Sequence, residues 1–511
     1  MSLNVYTSNR MEILLETLAK TLVRPADPFT PETIIVQSKG LQRWLAMELA
    51  TQFGVWANAD YPFPNKCVWD LFRRVFKDLP ETSPFEPSLL LWRIMRVLPE
   101  QLANSAFASL QGYLGGKNRD LKLFQLSGKI ADVFDQYTLF RGDLLEKWEA
   151  GAEDHWQAQL WRSLVAEIGT LHRAEIKKRF LQALSADVVA EDIFPRRITL
   201  FGISYLPKFH LDFLAAVADF SEVNLFVLSP CREYWSDILP ARSMVRLSPA
   251  ERTHRIEGNP LLASLGRLGR DFSEMIVDYG EASGGSEDLY RQTPGCSLLE
   301  LIQNDILALE GAGNVGIAKH AVLPDDSSLR ISCCHSPMRE VEVLYDTLLG
   351  MLTSLRDLAP RDILVMTPDI ETYAPYISAV FEGRQGGGRR IPYSIADRSI
   401  RSDGRLTQAL LALFELPGKR FPVTGVMDIL SYPAVSAAFG FEAADLDILR
   451  SWLEELRVCW GMDEGERQRE GFPPYRENSW RSGLDRLLLG YAMPDENKLF
   501  DGILPFDDME G

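Results

Sequence analysis

Apolar and polar positions in the first sixty residues repeat one pattern twice. "LNVYTSN" is a short apolar run ending in a polar turn, and the stretch after it sets Leu14, Leu18 and Leu22 on one helical face. "TIIVQSKG" does the same ahead of "LQRWLAMELATQF", which turns Leu41, Trp44, Leu45 and Leu49 inward. Strand–helix alternation of this kind predicts a parallel, doubly wound α/β sheet. Between residues 65 and 185 the period changes. Trp, Phe and Leu recur at helical spacing with few strand signals, which predicts a helical insertion. The sheet pattern returns in "RRITLFGIS" (196–204) and "VNLFVLSP" (223–230), with the helix "PKFHLDFLAAVADF" between them.

Residues 236–320 are mixed, with a helix around "NPLLASLGRLGRDF" and two loose loops, "EASGGSED" and "EGAGNVG". A domain boundary is expected near 322–326, "LPDDS". A second α/β unit follows. "SLRISCCHS", "RDILVMTP" and "RRIPYSIAD" carry strand patterns, and the glycine run 386–388 suits the turn before the last of them. Between them lie the helices "PMREVEVLYDTLLGML", with proline in its tolerated first turn, and "IETYAPYISAVFE". From about 406 the chain is helical and Trp-rich, and it ends at "FDGILPFDDMEG" without a closing element, as a boundary inside a longer protein would. Two strand–helix domains, each with a helical appendage, is the layout of superfamily 1 helicases. The expected organisation is a first RecA-like domain over 1–64 and 186–322 and a helical insertion over 65–185. A second RecA-like domain follows over 323–420, and a second helical insertion starts over 421–511.

Composition narrows the chemistry. Hydrophobic residues at 46% and charged residues at 24% are ordinary for globular domains, and no apolar run reaches the ~18 residues of a membrane span. The N-terminus lacks a signal-peptide pattern. Six cysteines without ligand spacing, and six scattered histidines, argue against zinc and a disulfide framework and for a reducing cytoplasm. The net charge of −17 argues against a broad grip on duplex DNA. Any nucleic-acid role needs a local channel or a surface shared with partner chains.

The first strand–turn–helix has the outline of a phosphate-binding loop without its chemistry. Such a loop needs glycines for close backbone approach, a lysine for the terminal phosphates and a hydroxyl for Mg²⁺. Here the tip reads Thr7-Ser8-Asn9-Arg10, with no glycine and no lysine. Side chains on Thr7, Ser8 and Asn9 block the approach that glycine permits. The acidic pair expected at the end of a central strand is also missing: Gly202 and Ile203 stand there, and Asp212 comes a helical turn or more too late. No Asp followed by Glu-x-Lys marks a nuclease strand.

Several strings, in order along the chain, now carry a resemblance. "VYTSNR", "IIVQSKGLQRWL", "FPNKCVWDLF", "ADVFDQYTLFR", "NPLLASLGRLGRDF", "CHSPMREVEVLYDTLL", "RDILVMTPDIETYAPYI" and "LLLGYAM" closely resemble the RecC family, the gamma chains of exodeoxyribonuclease V. The family's chains are about twice this length, so the chain resembles their N-terminal half. The resemblance implies a degenerate superfamily 1 helicase that holds no cofactor of its own. ATP and Mg²⁺ are used by the partner subunits RecB and RecD of the heterotrimer. Such a chain would help split duplex ends, guide single strands, and read the guanine-rich Chi signal during break repair by recombination.

A single strand shows its Watson–Crick edges to amides, carboxylates and guanidinium groups, while aromatic rings stack on its bases. Three stretches offer such groups. Gln37, Lys39 and Arg43 lie at a strand end and helix start, where α/β sheets bind ligands. From the residues alone, a capped helix with a solvated face is the more ordinary account of them. Phe63 sits between two prolines as an extended wedge, and Trp69 begins a helix in which core packing is the ordinary use. Asp132, Asp135 and Gln136 share a polar face beside the inward stripe of Ile130, Val133, Phe134 and Tyr137. By resemblance, Chi contacts fall on Gln37, Lys39, Arg43, Phe63, Trp69, Asp132, Val133, Asp135, Gln136, Arg141 and Arg173. Family members carry Thr and Gln where this chain has Lys39 and Arg43, and two added cations favour phosphate or guanine. Arg339 and Glu340 occupy the place of a helicase motif, or simply cap a surface helix. Two other functions compete: an active ATP-dependent helicase or nuclease, and an assembly scaffold alone.

Overall fold

The computed structural model describes residues 3–22, 29–186, 189, 193–244, 248, 258–280, 289–311, 321–383, 391–398, 404–493 and 498–506. The loop "EASGGSED", the glycine run 386–388 and most of "EGAGNVG" lie outside the described residues. The chain divides into two compact units, Met1–Arg330 and Ile331–Gly511.

The first unit is built on five strands: β1 (Leu3–Ser8), β2 (Glu32–Ile35), β3 (Ala59–Asp60), β4 (Arg197–Phe201) and β5 (Glu222–Leu228). They pair in the order β1-β5-β4-β2-β3, and every pairing is parallel. β5 lies between β1 and β4, and its run Val223–Val227 is buried throughout, as expected of a strand covered on both faces. Asn224 is buried within it because Asn4, its register partner, donates to its side-chain oxygen at 2.9 Å. At the start of the strands Arg197 bonds both Glu32 and Glu222 at 3.3 Å, clamping β2, β4 and β5 together.

One face of the sheet is covered by α1 (Met11–Leu22) and α2 (Lys39–Phe53), whose Leu14, Leu18, Leu45 and Leu49 pack on Phe201 and Phe226. Leu41 and Trp44 are only half-buried at its edge. The elements between residues 64 and 185 are helical among the described residues. They are α3 (Pro64–Val75), α4 (Pro87–Gln101), α5 (Ala108–Leu114), α6 (Arg119–Phe140), α7 (Gly142–Glu149), α8 (Trp156–Ile168) and α9 (Arg173–Ser185), with a short 3₁₀ turn at Ser105–Phe107. Packing divides this set where helix counting does not. Phe72 of α3 and Phe180 of α9 join Phe213 of α10 (Lys208–Val217) in the core on the sheet's other face. The separate core of the insertion involves residues 85–164, around Phe107, Phe134, Trp148 and Trp161. The string "NPLLASLGRLGRDF" forms two helices, Pro260–Leu265 and Arg267–Gly280, rather than one.

In the second unit the helices Pro337–Ser354 and Ile370–Gly383 form as the periodicity predicts, and Tyr345 meets the Phe381 ring edge-on at 5.0 Å. The three expected strands do not. "SLRISCCHS", "RDILVMTP" and "RRIPYSIAD" join no ladder among the described residues, and Ile331, Leu364 and Met366 are more than 80% exposed. An alternating pattern suits a pleated, half-buried surface, but a strand exists only with a hydrogen-bonding neighbour. From Arg405 to Ala492 the unit is helical, with a core of Met427, Leu446, Leu453, Val458 and Phe506. Arg339 pairs with Glu342 at 2.8 Å, and Glu340 accepts from the Tyr373 hydroxyl at 2.7 Å. All six cysteines are free thiols.

Phe134 is wholly buried and meets Trp161 edge-on at 5.3 Å. Phe134→Ala is expected to cost about 3–5 kcal/mol of the insertion's stability, read by guanidinium unfolding followed through tryptophan fluorescence.

Candidate nucleic-acid interface

The turn where a triphosphate would sit is filled by the chain itself. Ser8 is fully buried, and its hydroxyl donates to the Leu289 carbonyl at 2.8 Å. The Asn9 amide donates to the Arg291 carbonyl at 2.8 Å and accepts the Arg291 N–H at 3.0 Å. The Arg10 N–H donates to the Ser8 hydroxyl at 3.1 Å, while Thr7 stays within β1. The Leu289 side chain completes the apolar core beneath. At the end of β4, Gly202 takes a positive φ of 63° and its N–H donates to the Phe226 carbonyl at 2.9 Å. A Cβ there would lie 2.8 Å from Met11 Cε and 3.1 Å from Leu41 Cδ2, and Ile203 is buried in the core. Thr7–Arg10 and Gly202–Ile203 thus hold backbone partners and hydrocarbon. Asp212, the late carboxylate, pairs with Lys177 at 2.8 Å and accepts from the Tyr279 hydroxyl.

The base-reading candidates are placed unequally. Gln37 leaves β2 and spans to the other strand end: it donates to the Tyr205 carbonyl at 3.0 Å and accepts the Ser204 N–H at 3.5 Å. Ser38 caps α2 by accepting the Leu41 N–H at 3.1 Å. Lys39 then stands at the first helical position, with no acidic residue in that turn, and Arg43 follows; both are exposed. A cation there opposes the helix dipole by about 0.3–1 kcal/mol, a cost that an anion at the same turn would offset.

Phe63 is 43% exposed ahead of α3, whose first turn is set by Pro64. Trp69 does not begin that helix; it lies five residues in and is buried against Phe72. Its indole N–H donates to the Pro80 and Glu81 carbonyls at 3.1 Å, and the buried ring presents no free face.

On α6, Asp132 and Gln136 are exposed, with no hydrogen bond or ion pair among the described residues. Val133 and Asp135 are half-buried beside them. Asp135 accepts from Arg173 at 2.5 Å, and the same guanidinium reaches Glu86 at 3.0 Å. Burial raises the Asp135 carboxyl above its ordinary value; Arg173 pulls the other way, and Glu86 adds to the rise. Arg173 is itself buried at the start of α9. His172 fixes that helix start: its Nδ1 accepts the Glu175 N–H at 3.4 Å, which leaves Nε2–H to donate to Glu149 at 2.9 Å. Arg141 ends α6, exposed and 3.5 Å from Asp143. No hydrogen bond or ion pair links Gln37–Arg43 to the α6 ridge among the described residues. The α6 ridge is supported by α10, which packs on α3, α6 and α9.

Sequence reasoning did not find the supports of this surface. Glu86 and Asp135 reach Arg173 across 87 and 38 residues, separations that no periodicity reports. His210 on α10 is another. Its Nε2 faces the Asn65 side-chain oxygen at 2.9 Å, and its Nδ1 is buried without a partner. Burial, then the charges of Arg173 and Lys177, pushes its pKa down to about 4.

Relatives were found across the whole chain. The family model for the RecC N-terminal domain matches residues 3–309, and that for the fourth domain of the RecBCD enzyme subunit RecC matches residues 403–511. Proteins named RecBCD enzyme subunit RecC are similar throughout. The Escherichia coli K12 protein is 38% identical, covering 100% of this chain and 49% of its own length. The Haemophilus influenzae protein is 34% identical, covering 99% and 50%, and the Mycolicibacterium smegmatis protein 31%, covering 100% and 48%. The chain spans about half the length of these curated relatives.

Since the folded pKa of His210 lies below its unfolded value, the unfolded state binds the proton more readily. Stability is complete above about pH 6.5 and falls as pH drops toward 4, by about 2–4 kcal/mol in all. His210→Gln is expected to flatten that slope in urea melts taken across the same window.

Proposed function

Because the chain belongs to the RecC family, we propose that it serves the strand-guiding and Chi-reading role of the non-catalytic subunit in the RecBCD helicase–nuclease, exodeoxyribonuclease V. In this reading it assembles with RecB and RecD, helps separate the strands of a broken duplex end, and inspects one of them for Chi. It works in the bacterial cytoplasm. It carries no ATP or Mg²⁺ itself; those belong to the partner motors.

The observation that carries this reading is the pairing of a closed turn with an open ridge. The Ser8 and Asn9 side chains are committed to Leu289 and Arg291, so the two residues at the tip of a motor's most diagnostic loop are taken by the chain itself. Asp132 and Gln136 stand exposed with their hydrogen-bonding capacity unspent. A carboxylate accepts the N1–H and N2–H donors of guanine, and an amide can both donate and accept, a set that suits unpaired bases. In the assembly, Arg173 and Glu86 hold the Asp135 carboxylate in place, Phe63 stacks, and Lys39 and Arg43 take phosphate at the α2 start. The net charge of −17 fits a groove completed by neighbouring chains better than independent binding.

Two sets of variants test the assignment in the reconstituted heterotrimer. Asp132→Ala and Gln136→Ala are expected to abolish Chi-dependent cutting while unwinding of Chi-free DNA continues at its normal rate, each costing about 1–3 kcal/mol of discrimination. Lys39→Thr and Arg43→Gln are expected to weaken binding of all sequences alike, reducing the salt slope by about one per contact. Intact Chi response in the ridge variants would leave the chain as a scaffold.

A further inference from the structure

We propose that the helical insertion carries a second DNA contact, a stacking platform for unpaired bases formed by Trp92 of α4 and Phe124 of α6. It continues the strand path beyond Asp132 and Gln136, and so rests on the reading of that ridge as a strand-contacting surface. The two rings lie 5.7 Å apart at 51°, and they are 60% and 40% exposed. Neither belongs to the insertion's buried core, which is satisfied without them. A tryptophan and a phenylalanine held side by side in water present apolar faces of the kind that sequence-tolerant base stacking uses.

The occupant is chosen by charge and by continuity. Residues 87–130 contain six cations against two carboxylates, in a chain whose net charge is −17, and of the six Arg93 and Arg96 pair with Glu167. Lys117, Arg119 and Lys129 have no carboxylate within ion-pair distance among the described residues. Lys122 is held by the Tyr113 and Gly115 carbonyls at 3.1 Å, which leaves its charge unneutralised. Cations around exposed rings fit a phosphate backbone that carries bases. An acidic protein surface would match the charge but gains nothing from the aromatic pair's open faces.

Continuity follows from helix geometry. Leu121, Gln125, Gly128, Asp132 and Gln136 recur on one side of α6, and Phe124 flanks that stripe on the side that faces α4. Gly128 lies between the rings and Asp132, and an added Cβ would meet only Leu91, at 3.4 Å. The stripe is therefore free of bulk where a strand would cross from ridge to platform. Phe124 is eight residues from Asp132, about 12 Å along the helix. Stacked nucleotides at about 3.4 Å spacing cover that in three or four steps.

The test uses the reconstituted heterotrimer and a fluorescein-labelled, 3′-tailed duplex whose tail carries one abasic site, moved position by position. Fluorescence anisotropy gives Kd for each. In the native complex one abasic position, three or four nucleotides from the position sensitive to Asp132→Ala, is expected to weaken binding at least about fivefold. In Trp92→Leu and Phe124→Leu, which keep apolar bulk, that position should lose its effect, and Trp92→Phe should retain it. Equal weakening at every position, no change, or failure of either leucine variant to assemble with its partners overturns the platform, the last by showing the patch to be a protein interface. If the platform signature appears but Asp132→Ala leaves Chi response intact, the Chi-reading assignment fails and the platform stands.

Discussion

Two side chains at the end of β1 hold the turn between the first strand and the first helix closed. Ser8 and Asn9 take the Leu289 carbonyl and both backbone groups of Arg291, and the Leu289 side chain enters the core below. The arrangement supplies internally what a bound phosphate supplies in a working nucleotide site, namely partners for the turn between strand and helix. Gly202 carries the same logic to the next position. Its positive φ and its contacts with Met11 and Leu41 put hydrocarbon where Mg²⁺-holding carboxylates are required.

The ridge proposed for binding lies elsewhere, on elements that pack toward the same sheet. α3 and α9 belong to the sheet's core, whereas α4 to α8 pack among themselves. α9 is thus the joint between the two cores, and Arg173 at its first residue ties Asp135 of α6 to Glu86 ahead of α4. The buried cation is costly unless paired, so removing both carboxylates would strand it. His172 and His210 buttress that joint from both sides, the first through Glu149 and the second through Asn65. The exposed Asp132 and Gln136 inherit their positions from this framework.

Much of the fold was legible because it rests on local period. The faces of α1 and α2 and the β4–α10–β5 run follow from apolar spacing alone. The glycines missing at the first turn and the carboxylates missing after β4 can likewise be read directly. What period cannot carry is pairing across distance. The second unit's three apolar runs look like strands, yet among the described residues they find no neighbour. Core packing was the ordinary use to expect of Trp69, but only the carbonyls of Pro80 and Glu81 show that its N–H is taken. The segment that closes the nucleotide turn lies 281 residues beyond Ser8 and bears no motif, because backbone carbonyls leave no trace in side-chain identity.

Amide hydrogen exchange of the full-length chain, with and without saturating Mg²⁺-ATP, tests the closed turn most directly. The account predicts that the amides of Asn9, Arg10 and Arg291 exchange at the same rates in both conditions, with Arg10 and Arg291 protected. Loss of protection at Arg291 together with new protection at Asn9 and Arg10 on adding nucleotide would contradict it, because the crossing segment would then be a gate over a working site.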